Sequence, residues 1–468
     1  MKHALVLITL ISLPLTAPAQ QAVSTDKDRQ SVSVTIYNNH MGVVRENRTL
    51  NLPKGISNLR YEDVASGIVP QTVRVKSTDS KAPLLVFEQN YEFDLISSSR
   101  LMDKYIGKKV KVFRQTGDGK EELVDATLIA NNDGPVYQIG NEISLGLPGR
   151  VVVSTIPDNL YSKPTLIWKL NTESAGKVPV EVSYQTNGMS WSADYVLVLT
   201  QDEKKLDMTS WVTLTNESGT RFDNVTLQLV AGEVKRATRS YNRRNETAYV
   251  MKDGLVVSAP AFEQENLSDY YLYTLDQPTD LGMNQTKQVQ LFSADGMEVT
   301  KRFIVRDLNL YSGTDSPTTP AMVSYEFDNT SKNQLGRPLP QGTLRLFKAD
   351  SKGRQQLLGE DIIRHTPDKE TVKFSVGSAF DVVASGRQIS VENFRIGSGQ
   401  VASYEVSLRN RKTEPVTIRY YAPVGGDWKI TNSSHKFTRE SSSAAWTDVP
   451  VAAGEEVTVT FSVEIKYQ

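Results

Sequence analysis

Residues 184–199 read YQTNGMSWSADYVLVL. Asn187-Gly188 is a strong hairpin signal, because both residues accept the positive φ that a type I′ turn demands. After it, Trp191, Ala193, Tyr195, Leu197 and Leu199 fall on one phase of a period-two pattern, with Ser190, Ser192 and Asp194 on the other. That alternation is the mark of a strand with one buried face. The stretch therefore predicts a hairpin joining strand 178–185 to strand 190–199, with Asn187, Gly188 and Trp191 as its structural residues. Trp191 is expected to anchor the core, its indole N–H finding an acceptor. The second phase turns apolar at Val196 and Val198, so the strand is expected to start half-exposed and end buried on both sides.

The same period recurs along the chain. Val32, Val34 and Ile36 share a phase, as do Val178, Val180, Val182 and Tyr184, and later Val457, Val459, Phe461, Val463 and Ile465. Helical periodicity is almost absent, and residues 97–106 (SSSRLMDKYI) are the best helix candidate. The expected fold is all-β, built as serial β-sandwich, immunoglobulin-like modules with a small β-barrel insert. Residues 30–98 form an N-terminal β module. Residues 99–156 form the barrel-like insert, because short strands joined by Gly turns need closure to manage their edges. Residues 157–310 form a central sandwich and 317–468 a C-terminal one.

Residues 235–268 interrupt the central module as an irregular excursion, and Lys235, Arg236, Arg239, Arg243 and Arg244 make it a candidate basic surface. An internal echo links WVTLTNESGTRFDNVTLQL (211–229) with YEVSLRNRKTEPVTIRYY (404–421): a strand, an Asn, a polar turn, then Val-Thr and a second strand. Asn at a strand exit favours a turn, because it hydrogen-bonds locally and tolerates left-handed backbone.

The N-terminus reads as a cleavable export signal. Lys2 and His3 precede the apolar run ALVLITLISL (4–13), and Ala17 and Ala19 are the small residues before the cleavage point, leaving Gln20 first in the mature chain. Ten apolar residues are too few to cross ~30 Å of hydrocarbon, and no later stretch reaches spanning length. The chain contains no Cys, which closes off disulfides, thiolate metal sites and a lipidated Cys, and fits a Gram-negative periplasmic or secreted protein. Lys and Arg total 53 against 54 acidic residues, so no basic excess points to nucleic acid.

Motifs of catalysis are missing. His40, His365 and His435 lie far apart, with no paired-His spacing for a metal. There is no G-x-S-x-G elbow, phosphate loop, dinucleotide fingerprint or EF-type calcium loop. No catalytic residue, metal ligand or cofactor is expected. Paired carboxylates converging from distant strands remain an open route to a hydrolase, since they need no local motif.

VPVEVSYQTNGMSWSADYVLVL, LDMTSWVTLTNESGTRFDNVTLQLVAGEV, LGRPLPQGTLRLFKAD, LLGEDIIRHTPDKETVKFSVGSAFDV and YYAPVGGDWKI together resemble the bacterial family of domain of unknown function 4139, related to mucoidy inhibitor A proteins. The resemblance implies an exported, β-rich bacterial protein and no particular reaction. The expected function is non-enzymatic binding of a protein or glycan partner of the envelope through β-domain loops or edges. The alternatives are hydrolysis of envelope polymer by convergent carboxylates, or an assembly scaffold pairing by strand addition.

Overall fold

The computed structural model describes residues 21–92, 94–115, 120–146, 149–157, 160–232, 234, 262–310, 315–394 and 399–466. The fold is all-β with sandwich-like sheets, and the chain divides into two compact units. The first comprises residues 1–190, 215–228 and 277–286, and the second 191–214, 229–276 and 287–468.

In the first unit, strand Met41–Leu52 lies between Arg29–Tyr37 and Gly176–Asn187, antiparallel to both. A second sheet runs Gln21–Ser24, Gly55–Glu62, Thr165–Thr172, Leu84–Glu92. Val34, Val44, Val180 and Tyr184 of the first sheet and Leu59, Tyr61, Leu166 and Trp168 of the second are buried, as period-two alternation requires of inward faces. Residues 109–152 form a separate sheet in the order Glu142–Leu145, Val136–Ile139, Glu121–Ala130, Lys109–Gln115, Arg150–Val152.

This sheet corrects the expected barrel. It is open, its two outer strands each pairing on one side only. Closure is not needed, because helix Ser98–Lys104 lies over its apolar face. Leu101, Met102 and Tyr105 pack there with Val110, Val112, Ala126, Leu128 and Tyr137. Ser97 caps the helix by accepting from Arg100 N–H at 3.2 Å.

The second unit contains a five-stranded sheet in which Met189–Leu199 runs parallel to Gly342–Ala349, and a nine-stranded sheet over residues 300–466. The latter rolls on itself. Tyr420 and Phe461, from strands far apart in the sheet order, bring their rings to 5.8 Å around a core with Tyr404, Trp428 and Phe437. Phe262–Leu267 pairs with Tyr270–Leu275 as a hairpin, so the end of the expected excursion 235–268 is strand rather than loop. Strand Tyr270–Leu275 supplies its partner, and Ser268, at φ 57, makes the turn.

Asn187-Gly188 also departs from expectation. Gly176–Asn187 is already paired on both edges, with Met41–Leu52 and with Arg74–Ser77, and Asn187 N–H donates to Gly67 O at 2.8 Å. Met189–Leu199 pairs in another sheet, so the two strands are not hairpin partners. Only Gly188 has positive φ, at +80°, and a Cβ there would lie 2.7 Å from Glu217 O. Trp191 is the expected anchor, 4% exposed, its indole donating to Val230 O at 3.2 Å. On the opposite phase Ser192 is exposed while Val196 and Val198 are half-buried rather than fully so.

The internal echo proves to be a shared hydrogen-bond device. Buried Asn410 ends strand Gly399–Asn410. Its Nδ2 donates to Glu414 O (2.8 Å), Val451 O (3.2 Å) and Ala452 O (3.0 Å), while Oδ1 accepts Lys412 N–H at 3.0 Å. Buried Asn216 ends Lys205–Asn216. It donates to Thr220 O (3.0 Å), Leu281 O (3.4 Å) and Gly282 O (3.0 Å), with Oδ1 accepting Ser218 N–H at 3.1 Å. Each amide plugs the turn after its strand to a second loop.

Candidate functional site

An open cleft of about 960 Å³ lies in the first unit, lined by polar and charged groups from five short segments. Asp26 and Arg29 come from the 3-10 turn Asp26–Asp28 and the strand after it, where Thr25 N–H donates to Asp28 Oδ2 at 2.9 Å. Asp63, at φ 64, follows strand Gly55–Glu62, and Lys163 precedes Thr165–Thr172. Arg221 and Asp223 follow the turn at Gly219, whose φ of +80° places it so close to Ser66 that a Cβ would collide with that side chain. Met283, Asn284 and Gln285 complete the wall. Asn216 holds the 219–223 and 281–285 segments together, since its amide bonds carbonyls of both.

Two ion pairs sit on the walls. Lys163 pairs with Asp63, whose Oδ2 also accepts Asp26 N–H at 3.1 Å, and Arg221 pairs with Asp223. Burial pushes the Asp63 carboxyl up, but the hydrogen bonds from Lys163 and from Asp26 N–H and the charges of Lys163 and Arg48 outweigh it, leaving Asp63 below the usual carboxylate range. The hydrogen bond to Asp63 likewise raises Lys163.

Beneath the cleft lies a buried ionic network. Glu46 and Arg48 are fully buried on the Val44–Leu50 phase of their strand, where apolar residues would be expected. Glu46 Oε2 accepts from Arg48 Nε (2.9 Å), Arg29 Nε (3.2 Å) and Tyr61 OH (3.2 Å), and Oε1 from Tyr184 OH (3.3 Å). Arg48 stacks 3.8 Å above the Tyr61 ring and donates to Glu62 O at 2.9 Å. Burial and the Glu46 charge hold the Tyr61 and Tyr184 hydroxyls well above the usual tyrosine range, so both remain donors. Burial alone would lower Arg48, but Glu46 reverses the sign and keeps it cationic. Two guanidiniums thus share one carboxylate, and of the two Arg29 lines the cleft.

The other residues singled out by the sequence lie elsewhere. Ala17, Ala19 and Gln20, and Lys235, Arg236, Arg239, Arg243 and Arg244, fall outside the described residues. His365 Nδ1 accepts Gln341 N–H at 3.1 Å, and burial lowers its pKa; it ties two turns together. Among the described residues no three His, Asp or Glu side chains gather as metal ligands, and no helix is long and apolar enough to cross a membrane. Of the residues that line the cleft, the sequence patterns touched only the 219–223 segment, which falls in the polar turn of the internal echo beside Asn216, the residue that braces it, and they pointed to no binding role there. A readable signal was there: Glu46 and Arg48 interrupt an otherwise apolar strand phase two residues apart.

A family model described as domain of unknown function (DUF4139) matches residues 180–468. The chain belongs to this family. No curated protein matches it.

Proposed function

We propose that this family member is exported to the envelope of a Gram-negative bacterium and binds a protein or glycan partner there without transforming it. The cleft of the first unit carries the reading: an open, solvent-facing groove with ionised walls and a charged floor, its lining loops pinned by a buried amide. Its chemistry suits recognition better than hydrolysis. A general acid needs a carboxyl raised toward neutral pH, whereas Asp63 is lowered and tied to Lys163. Export rests on the N-terminal signal pattern and the lack of Cys.

The test is capture. The mature chain, immobilised, is incubated with solubilised native envelope, and both glycans and proteins retained are identified. Specific retention that weakens in an Arg221→Gln variant supports binding through the cleft. Turnover of an envelope polymer that disappears in Asp63→Asn would replace the binding reading with the hydrolase one.

A further inference from the structure

We infer that the cleft of the first unit binds a saccharide carrying a carboxylate, with Arg29 as the group that receives the carboxylate. The inference rests on the binding reading above and names its ligand class. Arg29 is the key observation. Its side chain is only 11% exposed, its Nε is held by Glu46, and its guanidinium stands 5.9 Å over the Phe222 ring. Its Nη2 is buried and has no hydrogen-bond partner among the described residues. A buried guanidinium nitrogen without an acceptor is costly, and the one carboxylate near it is already shared with Arg48. Of the acids that line the cleft, Asp63 is engaged by Lys163, whose charge exposed Asp26 also feels, and Asp223 by Arg221. The floor of Arg29, Arg48 and Glu46 carries one more positive charge than negative, and the walls one more negative than positive at exposed Asp26, so the cleft is balanced overall and its unmatched cation is Arg29, a planar group whose geometry suits a carboxylate.

The walls decide between a sugar and a peptide. Ser66, Ser162, Asn284, Gln285 and Asp26 supply acceptors and donors for hydroxyl groups, and exposed Met283 offers a small apolar surface for a pyranose face. A peptide acid would call for an open apolar pocket beside the cation; of the apolar residues in the lining Val64 and Pro164 are buried and Leu95 is half-buried, so Met283 alone offers an exposed apolar side chain.

The experiment is titration calorimetry on the mature full-length chain with an oligogalacturonide. The same oligosaccharide with its carboxyls reduced to alcohols, and an oligoglutamate, serve as comparison ligands. Binding of the oligogalacturonide, with at least tenfold loss on reduction and weaker binding of oligoglutamate, supports the inference. Arg29→Lys should lose tenfold or more. Should that variant fold poorly by circular dichroism, Arg221→Gln and Asn284→Ala on the rim should each lose severalfold. Equal binding of the reduced sugar, tighter binding of oligoglutamate, or no binding at millimolar ligand overturns it. Should envelope capture remain sensitive to Arg221→Gln while the oligogalacturonide fails to bind, the inference falls and the binding reading stands. Should capture be lost as well, both fall.

Discussion

Replacing Asn410 with Ala removes one side chain and the donor to three carbonyls, of which Ala452 O keeps Glu455 N–H at 3.2 Å. Asn410 is fully buried, donates to Glu414 O, Val451 O and Ala452 O, and accepts from Lys412 N–H. Each bond is worth about 0.5–1.5 kcal/mol net, and unmatched buried partners add to the loss, so Asn410→Ala should cost about 2–4 kcal/mol. At roughly 2–4 °C per kcal/mol for a unit of this size, the melting of the second unit should fall by about 5–15 °C. Urea unfolding followed by Trp fluorescence gives the free energy directly. Asn410→Asp sharpens the test, since it keeps the acceptor and the shape but faces three carbonyls with oxygen. Its carboxyl will be raised in the folded state, so its deficit against Asn should be small below the unfolded carboxyl pKa of about 3.9 and should grow as pH rises past it. An Ala variant within about 0.5 kcal/mol of the parent, or an Asp variant whose deficit does not change between about pH 4 and 8, would refute the view that the amide plug holds the turn.

Trp191→Ala should cost about 3–5 kcal/mol, since the ring is buried and its N–H bonded; an unchanged urea midpoint would show the ring is not core. Glu46→Gln leaves Arg29 and Arg48 without their shared anion and should cost about 3–5 kcal/mol, read by the same unfolding curve; a neutral result would mean water or a rearranged partner compensates. Asp63 is lowered in the folded state, so its contribution is present above the unfolded carboxyl pKa and lost as pH falls through the lower folded value. Asp63→Asn should therefore flatten the acid limb of the stability profile below about pH 4, and an acid limb identical to the parent's would exclude the Lys163 pair as its source.

What could be read from the chain followed from periodicity, a local property. Val178 to Tyr184 and Trp191 to Leu199 lie on strands with the expected face buried, and Val457 to Ile465 does so at Val459, Phe461 and Val463, its two ends being half-buried. What failed depended on which strand each edge meets. Asn187-Gly188 has ideal hairpin chemistry, yet residues 67–77 and Met41–Leu52 take both edges of the first strand. A turn propensity of roughly a few tenths of a kcal/mol yields to that many ladder bonds. The barrel failed for a similar reason: a two-turn helix covered a sheet that closure would otherwise have protected.

The cleft was the least legible part, because its walls come from residues 26, 63, 163, 221 and 284, and nothing local links them. Two clues did exist. A Glu and an Arg on an apolar strand phase can be buried only if they answer each other, and Glu46 and Arg48 do. An Asn repeated at the exit of two echoing strands needs more than a turn to explain it. At Asn410 the amide closes a core module, and at Asn216 the same bonds fix the segments that carry Arg221 and Asn284. One structural device thus does a folding job in one unit and positions the candidate site in the other. Asn216→Ala should accordingly lower stability and loosen ligand binding together, a coupling that Asn410→Ala should lack.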